Sequence, residues 1–132
     1  MKRFGLALCL LLAGCGAAQP IRIADARVQL PVIAGRPGAA YFTITGPETL
    51  RLLAVASPSV ERIELHDSMA NGMARLEAVP VGDGLAFAPG GRHAMLFGIR
   101  PGIQAGDRIP LSFQFDGATP VEVQVPVTKI GN

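Results

Sequence analysis

Both histidines of the chain, and every methionine but the initiator, fall in the single stretch 66–95: His66, Met69, Met73, His93 and Met95. Imidazole nitrogen and thioether sulfur together make a soft, uncharged donor set, the kind that selects Cu(I) over harder divalent ions. In Arg92-His93-Ala94-Met95-Leu96 the two donors are two residues apart. An extended backbone therefore puts His93 and Met95 on one face, with Cα atoms roughly 6.5 Å apart. His66 closes one apolar run and Met73 opens the next. If those runs pair, their flanks approach to ~5 Å and present a second His/Met pair to the first. The candidate ligands are thus His66, Met73, His93 and Met95, with Met69 as the alternative sulfur. Methionine often serves only as core filler; the spacing with histidine is what singles these residues out. Glu64 and Asp67 read as solvated charges at a strand end rather than as ligands.

The elements that would carry these residues are short strands. Val121, Val123, Val125 and Val127 alternate with Glu122 and Gln124, the pattern of a half-buried strand, and Leu111, Phe113 and Phe115 repeat it just before. With 116–120 between them, these runs read as a hairpin. Further strand-like runs cover 21–28, 39–45, 50–56, 60–66, 73–79, 85–88 and 93–99, and Gly/Pro turns such as Gly35-Arg36-Pro37-Gly38 and Pro89-Gly90-Gly91 divide them. Seven or more short strands at this spacing predict an all-β, two-sheet antiparallel sandwich. Helix has room for one turn at most, around 67–72.

The N-terminus opens with Met1-Lys2-Arg3, an apolar run 4–13 and then Gly14-Cys15-Gly16, the charged, apolar and small-residue regions of a secretory signal. The apolar run is too short to span a membrane. Leu12-Ala13-Gly14-Cys15 resembles a bacterial lipobox, which predicts a signal peptide over 1–14, a lipid on Cys15, a tether over 15–20 and one folded domain over 21–130. Gly16 after the cysteine resembles lipoproteins sorted to the outer membrane. Loss of Lys2 and Arg3 leaves ten basic residues against ten acidic ones. A neutral domain carries no electrostatic footprint for nucleic acid. With Cys9 removed and Cys15 acylated, the folded part holds no thiol. Any metal site must do without thiolate, which blue-copper electron-transfer sites require. A thioether site also avoids disulfide chemistry outside the cytoplasm, although sulfoxidation stays open to it. These features fit an extracytoplasmic carrier.

Ile23-Ala24-Asp25-Ala26, Ala39-Ala40-Tyr41-Phe42-Thr43-Ile44, Glu64-Leu65-His66, the segment from Pro89 through His93-Ala94-Met95 to Gly98, and Gly106-Asp107-Arg108-Ile109-Pro110-Leu111 are similar to segments of the periplasmic copper chaperone PCu(A)C family. The resemblance covers nearly all of the chain after the signal. It implies a cupredoxin-like β-sandwich, Cu(I) bound near the surface by His66, His93 and Met95, and delivery toward the CuA centre of cytochrome c oxidase subunit II, often beside a thiol-containing Sco-type partner. It departs at one ligand: where the family ends a loop with Met-x-Met, this chain aligned through Gly72-Met73-Ala74-Arg75 has Leu76, which cannot coordinate. Met73 or Met69 would then supply the missing sulfur, or the site keeps three protein ligands. Arg27 stands where the family usually has Trp and Arg92 where Tyr is common, changes expected to alter packing rather than chemistry.

Catalysis finds no support, since there is no Gly-x-Ser-x-Gly elbow, no Cys-x-x-Cys and no phosphate-cradling glycine loop. The sequence therefore predicts a monomeric, non-enzymatic Cu(I) carrier held at the membrane by lipid. The competing reading is a degenerate sandwich lipoprotein that binds a protein partner and no metal.

Overall fold

A computed structural model describes residues 19–69 and 71–130. The signal stretch 1–14, Cys15 and residues 16–18 of the tether lie outside the described residues. Ten strands follow one another: β1 (Arg22–Leu30), β2 (Gly38–Thr45), β3 (Arg51–Ala56), β4 (Val60–Met69), β5 (Gly72–Arg75), β6 (Val79–Pro80), β7 (Leu85–Phe87), β8 (His93–Ile99), β9 (Arg108–Asp116) and β10 (Ala118–Lys129). Among the described residues none is helical. Hydrogen-bonded order runs β5-β4-β8-β2-β1-β10-β9-β3-β6, with β7 also on β2. This continuous sheet closes into a sandwich because β10 serves both layers. Its first part pairs with β9, from Ala118 to Pro126, and its end pairs with β1, from Val127 to Lys129. The β1–β10 contact is parallel, an exception to the antiparallel pairing expected of the whole.

Alternation sets which side of each strand is buried. On β2 the residues Ala40, Phe42 and Ile44 point inward, and on β9 Ile109, Leu111, Phe113 and Phe115 do so. Phe42 meets Phe113 across the layers edge to face, with ring centroids 4.9 Å apart, and stacks on Phe87 of β7 at 4.6 Å. On β1, Ile23 and Val28 have opposite parity yet both face the core. A bulge reconciles them: the register with β2 shifts between Ala24 and Arg27, and Asp25 takes a left-handed φ of 53° there. The extra residue turns Arg27 outward, opposite Tyr41.

Two elements differ from the sequence reading in ways that bear on the site. Within the 67–72 stretch allowed for a helical turn, 67–69 belong to β4 and Gly72 opens β5, with Met69 paired to Gly72. His66 therefore lies inside a strand. The expected strand 73–79 is two pieces in different layers: β5 pairs with β4 while β6 pairs with β3. Ala78, at a φ of 50°, sits in the crossing, where an L-residue cannot continue a ladder.

Phe113 is fully buried, so Phe113→Ala should cost about 3–5 kcal/mol of stability. A urea unfolding midpoint unchanged from that of the native protein would contradict this account of the core.

Candidate metal centre

Strands β4 and β8 pair antiparallel with His66 directly opposite His93, Glu64 opposite Met95 and Arg62 opposite Phe97. All six side chains share the outer face. The intervening Leu65, Ala94 and Leu96 fill the core behind them. The two imidazole rings lie nearly parallel, 18° apart in plane, with centroids 5.9 Å apart. Their hydrogen bonds are mirror opposites. His66 uses Nε2, 3.1 Å from Oε2 of Glu64, and its Nδ1 is buried with no partner. His93 uses Nδ1, 3.0 Å from the carbonyl oxygen of Gly91, so the Gly-Gly turn before β8 orients this ring.

Glu64 is not the solvated strand-end charge that the sequence suggested. It lies within β4, its side chain about one-fifth exposed, and it divides its oxygens between neighbours. Oε2 faces His66, while Oε1 lies 3.3 Å from Nε of Arg62 and 3.9 Å from Nη1 of Arg75. Arg62 in turn lies over the ring of Phe97 at 4.0 Å. The hydrogen bond with His66, aided by Arg62 and Arg75 against partial burial, holds the Glu64 carboxyl below the usual carboxylate range. The signal for this contact was present in the sequence as a carboxylate two residues before a histidine, a spacing that shares one face of a strand.

The structure brings His66, His93 and Met95 together and leaves Met73 at the margin. Met73 pairs with Ser68, which keeps it on the same face but one step beyond His66, and its side chain is more than half exposed. Register places it about 7–8 Å from His66 on the diagonal, and roughly 12 Å from His93 by strand spacing and rise. Met73 can thus approach from the His66 side only. Met69 pairs with Gly72 and falls on the opposite face. Arg75 is the residue opposite His66. Leu76, where the family pattern would have sulfur, packs against the core, and its N–H donates to the Leu65 carbonyl at 2.7 Å. Oδ2 of Asp67 forms an ion pair with Nε of Arg92 at 3.6 Å, and Arg27 lies over the Tyr41 ring at 5.0 Å. Both arginines thus act through packing and pairing.

Among the described residues, no three of His, Cys, Asp and Glu group closely enough to hold a metal ion. An ion held here needs thioether sulfur to complete its shell. That donor chemistry fits a soft monovalent ion and disfavours Zn, Mg or Ca.

The family model described as "Putative lipoprotein LpqE-like" matches residues 21–127. The chain belongs to the LpqE-like family. Relatives of this LpqE-like chain include the protein named "Putative lipoprotein Lxx21020" of Leifsonia xyli subsp. xyli, 30% identical over 90 residues, covering 63% of this chain and 54% of that protein. Another is the uncharacterized protein RP573 of Rickettsia prowazekii, 32% identical over 109 residues, covering 71% of this chain and 60% of that protein. The LpqE-like chain therefore spans somewhat more than half the length of these relatives. Its fold is that of PCuAC domains. It superposes on the copper-bound PCuAC domain from PmoF2 with a TM-score of 0.68 at 21% identity, covering 86% of this chain and 96% of that one. On the solution structure of Cu(I)-DR1885 from Deinococcus radiodurans the TM-score is 0.68 at 22% identity, covering 90% and 85%.

Because the native carboxyl of Glu64 titrates lower than in the unfolded chain, its contribution to stability is fully present above the ordinary carboxylate range. It is lost as pH falls through the lowered native value. Melting temperature measured against pH should fall less steeply on the acid side for Glu64→Gln than for the native protein. Parallel curves would show the contact to be idle.

Proposed function

We propose that this LpqE-like protein is a Cu(I) carrier of the cell envelope, of the same functional kind as the PCuAC domains whose fold it shares. One observation carries the reading: on adjacent strands, two imidazoles face each other 5.9 Å apart, each with one nitrogen held by a fixed oxygen, on the same sheet face as Met95. A neutral imidazole left with an unpaired buried acceptor is poor for stability and good for coordination. Cu(I) is the cargo. His66, His93 and Met95 would hold it, with Met73 able to enter from the β5 side. The uncharged donors suit a singly charged ion, and Glu64 behind His66 offsets that charge without occupying a coordination position. The site lies on a sheet face, not in a closed cavity, so an acceptor's donors can join the ion before the carrier's leave. Such ligand exchange requires no protein redox group.

The family's description as a lipoprotein and the Leu-Ala-Gly-Cys15 sequence support attachment to a membrane by lipid on Cys15, in the periplasm and at the outer membrane. In this reading the copper passes toward the CuA centre of cytochrome c oxidase subunit II, alone or with a Sco-type partner. The protein acts as a monomer and catalyses nothing. Arg75 facing His66, with Leu76 turned to the core, favours a second reading in which the scaffold binds a protein partner and no metal.

Titration with Cu(I) under reducing conditions separates the two. The native protein should bind, the double variant His93→Ala plus Met95→Ala should lose most of its affinity, and Met73→Ala should lose less than either single change in that pair. Uptake undiminished in the double variant would remove the assignment. Ligation to the native state alone should also raise thermal stability, by about 2.7 kcal/mol when free Cu(I) is a hundred times Kd. Absence of any shift at excess Cu(I) would favour the metal-free reading.

A further inference from the structure

We infer that Glu64 is a positioning residue that decides which nitrogen of His66 takes the metal, so that the ion is held by Nδ1 of His66 and Nε2 of His93. The inference rests on the Cu(I) reading above and adds a mixed linkage to it. The two basic neighbours of Glu64, Arg62 at 3.3 Å and Arg75 at 3.9 Å, both lie on Oε1 and leave Oε2 to His66. A charged carboxylate only accepts. The nitrogen 3.1 Å from Oε2 must therefore carry the hydrogen, and that nitrogen is Nε2 of His66. A neutral imidazole has one N–H, so Nδ1 is bare.

Nδ1 of His66 is also the one buried side-chain nitrogen or oxygen without a partner among the described residues. Native structures seldom leave such an atom unmatched, and an absent ion is one of the few explanations. His93 arrives at the reverse state by the same logic. The Gly91 carbonyl can only accept, so Nδ1 of His93, at 3.0 Å, carries the hydrogen and Nε2 is bare. The rings lie nearly parallel with centroids 5.9 Å apart, so the bare Nδ1 of His66 and the bare Nε2 of His93 belong to neighbouring imidazoles on one sheet face. Orientation of the carboxylate comes from further along the same face. Arg62, seated over Phe97, draws Oε1 and leaves Oε2 to His66. A carboxylate behind a ligating imidazole fixes the tautomer and strengthens the donor, and loss of such a partner commonly lowers metal affinity about 10–100-fold.

Long-range proton–nitrogen correlation on the copper-free, nitrogen-15-labelled protein, under conditions where both imidazoles are neutral, reads the tautomers directly. The expected spectrum has His66 protonated at Nε2 and His93 at Nδ1, and addition of Cu(I) should move the bare nitrogen of each. Glu64→Ala should mix the His66 tautomers, leave His93 unchanged and weaken Cu(I) binding 10–100-fold. Glu64→Gln, whose amide oxygen still accepts, should restore the tautomer and part of the affinity. His66 protonated at Nδ1 in the native protein would overturn the inference, as would a Glu64→Ala variant with unchanged tautomer and affinity. If the tautomers are as stated and Cu(I) does not bind, the positioning role stands and the carrier function fails. If Cu(I) binds through Nε2 of His66, the carrier function stands and this inference fails.

Discussion

The register between β4 and β8 is the constraint from which the rest of the site follows. Setting His66 opposite His93 also sets Glu64 opposite Met95 and Arg62 opposite Phe97, so three consecutive pairs on the outer face form one connected polar and aromatic strip. The same register buries Leu65, Ala94 and Leu96 on the inner face. Donor placement and core packing are thus two readings of one hydrogen-bond ladder. Slippage by a single residue would exchange the faces, which makes the hydrophobic core the force that holds the donors in place.

Electrostatics refine what the ladder positions. The candidate donors sit beside formal charges: one carboxylate lies behind His66, between two arginines. Arg62 is fixed by an aromatic ring and Arg75 projects into solvent from the edge strand. The carboxylate is therefore shared between orienting an imidazole and balancing cations. In the proposed carrier, arrival of a positive ion on the other side of that imidazole would strengthen the first role. Pairing with the exposed Arg62 and Arg75 adds little to folding, so the place of Glu64 in the structure is better understood through the ring it orients.

Much of this was legible in the sequence, and the rest was not for identifiable reasons. Alternation in β9 and β10 and the Gly/Pro turns gave the sandwich, because each half-buried strand states its own inner face. The His93/Met95 pair was readable because a spacing of two on an extended chain leaves one outcome. The position of Met73 was not, since it depends on where the β4–β5 hairpin turns. Strand pairing continues past His66 to Met69 opposite Gly72, which lengthens β4 and sets Arg75, not a sulfur, against His66. The split of 73–79 into β5 and β6 turns on the left-handed backbone of Ala78, a conformation alanine does not advertise. The role of Glu64 was visible only as a spacing, because its partners come from residues two apart on its own strand and from a neighbouring strand.

Each donor on β4 and β8 is one residue away from a side chain sealed in the interior. An insertion or deletion of a single residue between Glu64 and His66, or between His93 and Met95, would invert either the donors or the core, whereas a change by two would restore parity at the cost of displacing the pair along the sheet. Length changes should consequently be tolerated better in the connecting turns than within these two strands. Loss of metal handling in a descendant would be expected to come by replacement of side chains in place, leaving an intact frame open to other uses.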